Sequence, residues 1–137
     1  MNESRDFGTL IGRILLVLIF VIAGFSKITG FAGTAGYMAH AGIPPNLVMP
    51  GLILSILVEF GCGLLIVVGL WTRLAALVIF LWLIPVTYIF HFLPFHNAVA
   101  PQVNMIMMTK NLSMMGGLLF LASVGPGRYS IDRSTTG

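Results

Sequence analysis

The chain has 137 residues, of which 58% are hydrophobic and only 8% are charged, and its formal net charge is +3. Soluble domains carry about 25% charged residues, so this composition excludes an ordinary water-exposed surface. It indicates one membrane domain over residues 1–137 that is solvated by the lipid bilayer. The seven Lys and Arg residues are scattered, which excludes the basic stripe of a nucleic-acid-binding domain.

Four apolar stretches are long enough to cross a membrane as helices. Leu10 to Ile28 would be about 28 Å long at the rise of an α-helix. We interpret it as an uncleaved helix, because no small-residue cleavage site of a signal peptide follows it. The polar residues 1–8 before it are expected to be frayed. The predicted spans are residues 10–28, 47–69, 74–92 and 104–124.

The connections between the spans are short and contain helix-breaking residues. Phe31 to Ala41 is too short to span, so we predict an interfacial or re-entrant helix that ends before Pro44 and Pro45. Pro85 lies inside the third span and is expected to kink it, and residues 93–101 read as a loop. The predicted fold is all-α: a polytopic, four-transmembrane-helix bundle with a short helix between helices 1 and 2.

The distribution of cations predicts the orientation of the chain in the membrane. Five cations fall on the side of the two termini and two on the opposite side. Because cytoplasmic segments are enriched in Lys and Arg, we expect a multi-pass membrane protein with cytoplasmic N- and C-termini. The five are Arg5, Arg13, Arg73, Arg128 and Arg133, and the two are Lys27 and Lys110.

A single carboxylate, Glu59, lies near the middle of the second span. An uncompensated charge at that depth costs roughly 2.5–3.5 kcal/mol, so a partner is expected. Counting residues places Glu59 about 15–18 Å and Lys110 about 10 Å below the outer boundary. Lys110 is therefore the predicted principal partner, followed by Lys27, whose flexible stem could reach down. A structural ion pair and a functional polar pocket are both compatible with this pattern.

Small and polar residues surround these charges along the predicted helices. Ser55, Cys62 and Gly63 share a helix face with Glu59, and such small residues let another helix approach closely. We interpret Cys62 as a small packing residue. Asn111 follows the lysine of the fourth span, a helix whose methionines could either line a pocket for a flat ligand or face lipid.

Three histidines, His40, His91 and His96, are predicted on the outer side, where Tyr88 also lies. The spacing of His91 and His96 crosses a proline-containing loop and matches no helical pair of metal ligands. The sequence therefore predicts interfacial histidines with hydrogen-bond partners and no metal site.

Several stretches of the sequence, in this order, resemble the DoxX family of small bacterial membrane proteins. They read AGFSKITGF, VEFGCGLLIVVGLWTRLAAL, MTKNLSMMGGLLFL and GPGRYSIDR. The resemblance implies a four-helix protein of the bacterial inner membrane with cytoplasmic termini and an association with membrane oxidoreductases or quinones. It also implies recurring polar positions at Lys27, Glu59, Arg73, Lys110 and Asn111.

Three functions are compatible with these features, and the sequence contains no complete catalytic motif. The leading hypothesis is a binding protein for a quinone or similar hydrophobic ligand, as a subunit of, or accessory to, a membrane oxidoreductase. Other oxidoreductase subunits or a second copy would be its partners. The alternatives are a small proton-coupled transporter or exporter and a non-catalytic scaffold. The candidate ligand-binding and intramembrane polar residues are Glu59, Lys110, Lys27, Asn111, His40, Tyr88 and His91.

Overall fold

The computed structural model describes residues 3–92 and 101–135, and this part of the chain is helical without a β-strand. Within it, four helices are long and apolar enough to cross a membrane. The predicted four-helix membrane bundle with a short helix after the first span is confirmed. The helices are α1 (Glu3–Thr29), α2 (Phe31–His40), α3 (Pro45–Val68), α4 (Thr72–Thr87), α5 (Pro101–Val124) and α6 (Ile131–Thr135).

The predicted spans match these helices to within a few residues, except at the N-terminus. There α1 already begins at Glu3, so the expectation of a frayed segment is wrong for residues 3–8. Glu3 and Asp6 lie in the first turn, where acidic side chains stabilise the positive end of the helix dipole. Residues 93–100 of the predicted loop, and His96 within it, lie outside the described residues.

The packed interior of the bundle is a narrow apolar core, whereas its outer surface is rich in large exposed hydrophobic side chains. Leu15 is 64% exposed, Leu57 is 62% exposed and Phe120 is 69% exposed. Such a surface is stable only when an apolar solvent covers it, which agrees with a lipid environment. The fully buried core side chains include Val17, Leu52, Ile66, Ile79 and Leu118.

Two helical turns are wider than those of an α-helix. The helix α3 contains a π-helical turn at Leu57–Cys62, and α4 continues into a second one at Tyr88–Phe92. Pro85 shortly precedes the second turn, and proline lacks the N–H that would continue regular α-helical bonding. Isolated π turns inside α-helices are frequent at functional sites, and the first contains Glu59.

At the other end of the bundle, the segment after α5 folds back beneath the turn between α3 and α4. Gly125 and Gly127 have φ values of 87° and 83°, which glycine adopts readily, and they reverse the chain. The backbone N–H of Asp132 then donates to the carbonyl oxygen of Gly69 at 2.8 Å. This return connects the chain after the last span to the turn between the second and third spans.

Candidate functional site

The central feature of the candidate site is an intramembrane ion pair between α1 and α3. The Lys27 ammonium donates to Oε2 of Glu59, and the Ser55 hydroxyl donates to the same oxygen at 3.0 Å. Glu59 is only 7% exposed, so these two donors replace the water that the carboxylate would otherwise bind.

A close crossing of α1 and α3 explains why Lys27 and Glu59 meet. A Cβ atom on Gly24 would lie 2.6 Å from the Phe60 Cβ and 2.8 Å from the Phe60 backbone nitrogen. Only glycine fits in that space. The crossing lies three residues before Lys27 and one residue after Glu59, so it brings the two charged side chains together.

The predicted pairing of Glu59 with Lys110 is wrong. The Lys110 ammonium lies 3.4 Å from the Met107 sulfur, on its own helix. Counting residues gives the depth of each charge in its helix, but it does not show which helices are neighbours. Since α5 packs mainly against α4 whereas α1 packs directly against the π turn of α3, the carboxylate meets Lys27.

An apolar cavity of about 660 Å³ opens beside the ion pair, between α2, α3, α4 and the end of α1. Its volume lies in the range typical of ligand sites, about 300–1,000 Å³. Ser55, Lys27 and Glu59 form a polar group on a wall that is otherwise mostly apolar. Trp82 lines the same cavity, and its buried indole Nε1 has no acceptor among the described residues. The larger apolar lining residues include Met38, Leu47, Leu54, Val86 and Ile89.

Two aromatic rings and a histidine stand where α2 meets the second π turn. Tyr37 stacks on Phe90 with ring centroids 5.7 Å apart and planes inclined by 15°. His91 lines the cavity, and its Nδ1 lies 3.0 Å from Oδ1 of Asn104. The Asn104 amide also donates to the His91 carbonyl oxygen at 2.8 Å, so α5 holds the position of this histidine.

The other sequence-predicted site residues lie away from the cavity lining. Asn111 is 5% exposed and donates to the Thr87 hydroxyl at 3.0 Å, which ties α5 to α4. His40, Tyr88 and Lys110 do not line the cavity. Among the described residues, no group of three or more His, Cys, Asp or Glu side chains could hold a metal ion.

A second cluster, at the end of the bundle near the termini, was not anticipated from the sequence. Arg13 is 3% exposed and donates to the carbonyl oxygens of Ile66 at 3.0 Å and Val67 at 3.3 Å. It also donates to Pro126 and Tyr129, at 2.6 Å and 2.5 Å. One guanidinium therefore caps the end of α3 and holds the returning segment.

Asp132 and Arg73 serve the two other helix ends in this cluster. The Asp132 carboxylate accepts from the backbone N–H groups of Trp71 at 2.7 Å and Thr72 at 2.9 Å, which caps the start of α4. Burial alone would raise the pKa of Asp132, but the hydrogen bonds from Thr72 and Trp71 and the charge of Arg13 together lower it. Arg73 donates to the last carbonyl oxygens of α5, those of Ala122, Ser123 and Val124.

The sequence carried one signal for this cluster, the stretch GPGRYSIDR, and a hydropathy reading treats it only as a polar tail. The two glycines fit the reversal of the chain. However, the contacts of Asp132 with residues about sixty positions earlier depend on tertiary packing, which periodicity does not report.

Three bacterial proteins show how far the resemblance extends. The inner membrane protein YqjF of Escherichia coli (strain K12) is 46% identical over 133 residues, covering 97% of this chain and 95% of its own length. The inner membrane protein YphA of the same organism is 43% identical over 143 residues, covering 97% of this chain and 99% of its own length. The Bacillus subtilis (strain 168) protein named "Putative oxidoreductase CatD" is 36% identical over 84 residues, covering 61% of this chain and 60% of its own length.

No solved structure matches the chain. Residues 8–92, which include the ion pair and all the lining residues of the cavity beside it, match the DoxX family. Together with the two relatives that match nearly the whole length, this match shows that the chain belongs to the DoxX family of membrane proteins.

Proposed function

We propose that this protein binds a quinone or a similar flat, apolar ligand in the cavity beside Lys27 and Glu59, as a subunit of, or accessory to, a membrane oxidoreductase. The observation that carries the proposal is an ion pair set into the wall of an apolar intramembrane cavity. Charged groups at such depth are functional-site candidates, and an apolar cavity with a few converging polar groups is the usual form of a ligand site.

The polar groups of the cavity suit a ligand with a carbonyl oxygen at one end. Lys27 is 24% exposed at its side chain, whereas Glu59 is 9% exposed, so the ammonium is the more accessible member of the pair. It would donate to the carbonyl oxygen, and Glu59 would accept or return a proton as the oxygen changes charge. Lys27 therefore takes the place beside Glu59 that the sequence analysis assigned to Lys110.

The oxidoreductase part of the proposal rests on the name of the Bacillus subtilis relative CatD and on the ion pair in the wall of the apolar cavity. In this scheme the protein supplies the ligand site, and a partner subunit supplies or removes the electrons. The two relatives named as inner membrane proteins and the excess of arginines near the termini support an inner-membrane location with cytoplasmic termini.

Tryptophan fluorescence can test the ligand proposal directly. The chain has two tryptophans, so Trp71→Phe leaves Trp82, in the cavity wall, as the only reporter. We expect saturable quenching when decylubiquinone is titrated into the purified variant. Since a hydrogen bond involving a charged group contributes about 1.5–3 kcal/mol, Lys27→Met and Glu59→Gln should each weaken binding about tenfold or more.

Lys110→Met is the matched control, because it removes an intramembrane lysine that does not line the cavity. Its affinity should equal that of the Trp71→Phe parent. Quenching that does not saturate, or equal affinity in all variants, would contradict the ligand proposal. If the protein does not bind decylubiquinone but supports solute uptake into proteoliposomes, and Glu59→Gln abolishes that uptake, the protein is a transporter instead.

A further inference from the structure

A second cavity, of about 800 Å³, lies at the end of the bundle near the termini. It is bounded by the start of α1, the turn between α3 and α4, and the segment after α5. Arginines outnumber carboxylates in its lining by four to two, so its potential is positive. The charged lining residues are Arg5, Asp6, Arg73, Arg128, Asp132 and Arg133.

Some of the charged side chains in this lining bind helix ends of the protein, and two arginines do not form an ion pair within residues 3–92 and 101–135. Asp132 accepts from the start of α4, and Arg73 donates to the end of α5. Arg5 and Arg128 are exposed and form no ion pair with a described residue. Two guanidinium groups of the lining are therefore not paired with an anion in the described part of the chain.

The apolar part of the lining shows where this cavity lies relative to the bilayer. Trp71 is 65% exposed and Leu74 is 61% exposed, and both line the cavity. Exposed tryptophans concentrate at the boundary between hydrocarbon and headgroups. The cavity thus combines an apolar wall at the depth of acyl chains with a cationic wall at the depth of headgroups, which fits an amphipathic anion better than a soluble one.

We propose that this cavity binds the phosphate group of an anionic phospholipid. Arg5 and Arg128 donate to the phosphate oxygens in a geometry for which guanidinium groups are well suited. Trp71 and Leu74 pack against the first carbons of the acyl chains. Basic pockets at the ends of membrane helices recognise lipid headgroups by this combination of charge and position. The proposal does not depend on the ligand cavity near Glu59.

Brominated lipids provide the test. Trp82→Phe leaves Trp71 as the only tryptophan, and bromine on an acyl chain quenches a neighbouring indole. Titrating brominated phosphatidylglycerol into phosphatidylcholine vesicles gives its binding constant relative to phosphatidylcholine. We expect phosphatidylglycerol to be preferred. A cation near the surface contributes about 1 kcal/mol, so Arg5→Gln and Arg128→Gln should each lower this constant about fivefold.

Lys110→Gln is the matched control, because it removes one cation that lies outside the arginine-lined cavity. It should leave the relative constant unchanged. Equal constants for the two lipids, or the same constants in the arginine variants and the control, would overturn the proposal. Loss of the preference in the presence of inorganic phosphate would also overturn it, by assigning the site to a soluble anion.

Discussion

The two polar clusters of the bundle use charged side chains in different ways. Near the termini, Arg13 and Arg73 donate to the carbonyl oxygens that end α3 and α5, and Asp132 accepts from the start of α4. Each charge thus meets the helix end of opposite polarity. Near α2, Lys27 and Glu59 meet each other, with Ser55 as the additional donor to the carboxylate.

This difference separates a part that fixes the fold from a part that can accept a ligand. The donors of Arg13 are distributed over four backbone carbonyls from two segments, so the guanidinium has little capacity left for another molecule. The ion pair instead lies on the wall of an open cavity and uses one carboxylate oxygen for both donors. Substitutions at the two ends should therefore affect stability to different extents.

The largest loss of stability is expected for Arg13→Met. It removes the guanidinium donor from four carbonyl oxygens at a site that is 3% exposed. Hydrogen bonds to charged groups contribute about 1.5–3 kcal/mol each and are not additive, so we expect a loss of about 4 kcal/mol. Unfolding in sodium dodecyl sulfate, followed by circular dichroism, measures it. The exposed Arg5→Met is the control, and similar losses for both would contradict the capping role.

Lys27→Met is expected to rank second, with a loss of about 3 kcal/mol, because it leaves the Glu59 carboxylate buried without a cation. Lys110→Met should cost less, since the Lys110 ammonium contacts only the Met107 sulfur among the described groups within hydrogen-bond distance. The double variant Lys27→Met/Glu59→Gln should recover part of the loss. Equal melting temperatures for the two lysine variants would refute this ranking.

Gly24→Ala should cost about 2 kcal/mol, because its methyl group would overlap the backbone of Phe60. The helices must then separate, which also moves Lys27 away from Glu59 and should weaken decylubiquinone binding. Gly12→Ala, on the same helix, has no heavy atom within 4 Å of the added Cβ and serves as the control. A Gly24→Ala protein as stable as the control would show that the close crossing is not required.

The smallest effect concerns pH. The pKa of the Asp132 carboxyl group is lower in the folded than in the unfolded protein. The carboxylate therefore stabilises the fold above the unfolded pKa, and this stabilisation is lost as pH falls through the lower, folded pKa. Asp132→Asn should cost about 1 kcal/mol at neutral pH, as for other helix caps, and should make stability less dependent on pH in the acid range. Melting curves at decreasing pH measure this, and parallel curves for both proteins would argue against it.

Hydropathy and loop chemistry were sufficient to predict the four spans and the short helix α2, because lipid imposes both the length and the composition of a spanning helix. They also identified Lys27 and Glu59 as members of an intramembrane polar group. The choice of Lys110 as the partner failed because residue counting gives depth but not the neighbours of a helix. Gly24 is the residue that indicates the neighbouring helix, because the absence of its side chain allows α1 to approach α3 closely.

The cluster near the termini was harder to predict for a different reason. In the sequence analysis, Arg13 counted only among the cations on the side of the termini, but the helix extends to Glu3 and places Arg13 inside the bundle. Its acceptors are backbone carbonyls, which every sequence contains and no motif reveals. Likewise, π turns change the number of residues per turn only locally, so the helical periodicity around Glu59 gave no indication of one.

The cap of α4 has a consequence for biogenesis. Its carboxylate belongs to Asp132, and the N–H groups that it accepts from belong to Trp71 and Thr72. A ribosome therefore delivers the third membrane helix to the translocon about sixty residues before the group that completes its first turn. The first N–H groups of that helix therefore lack this acceptor while the fourth membrane helix is inserted, and gain it only after residue 132 has emerged.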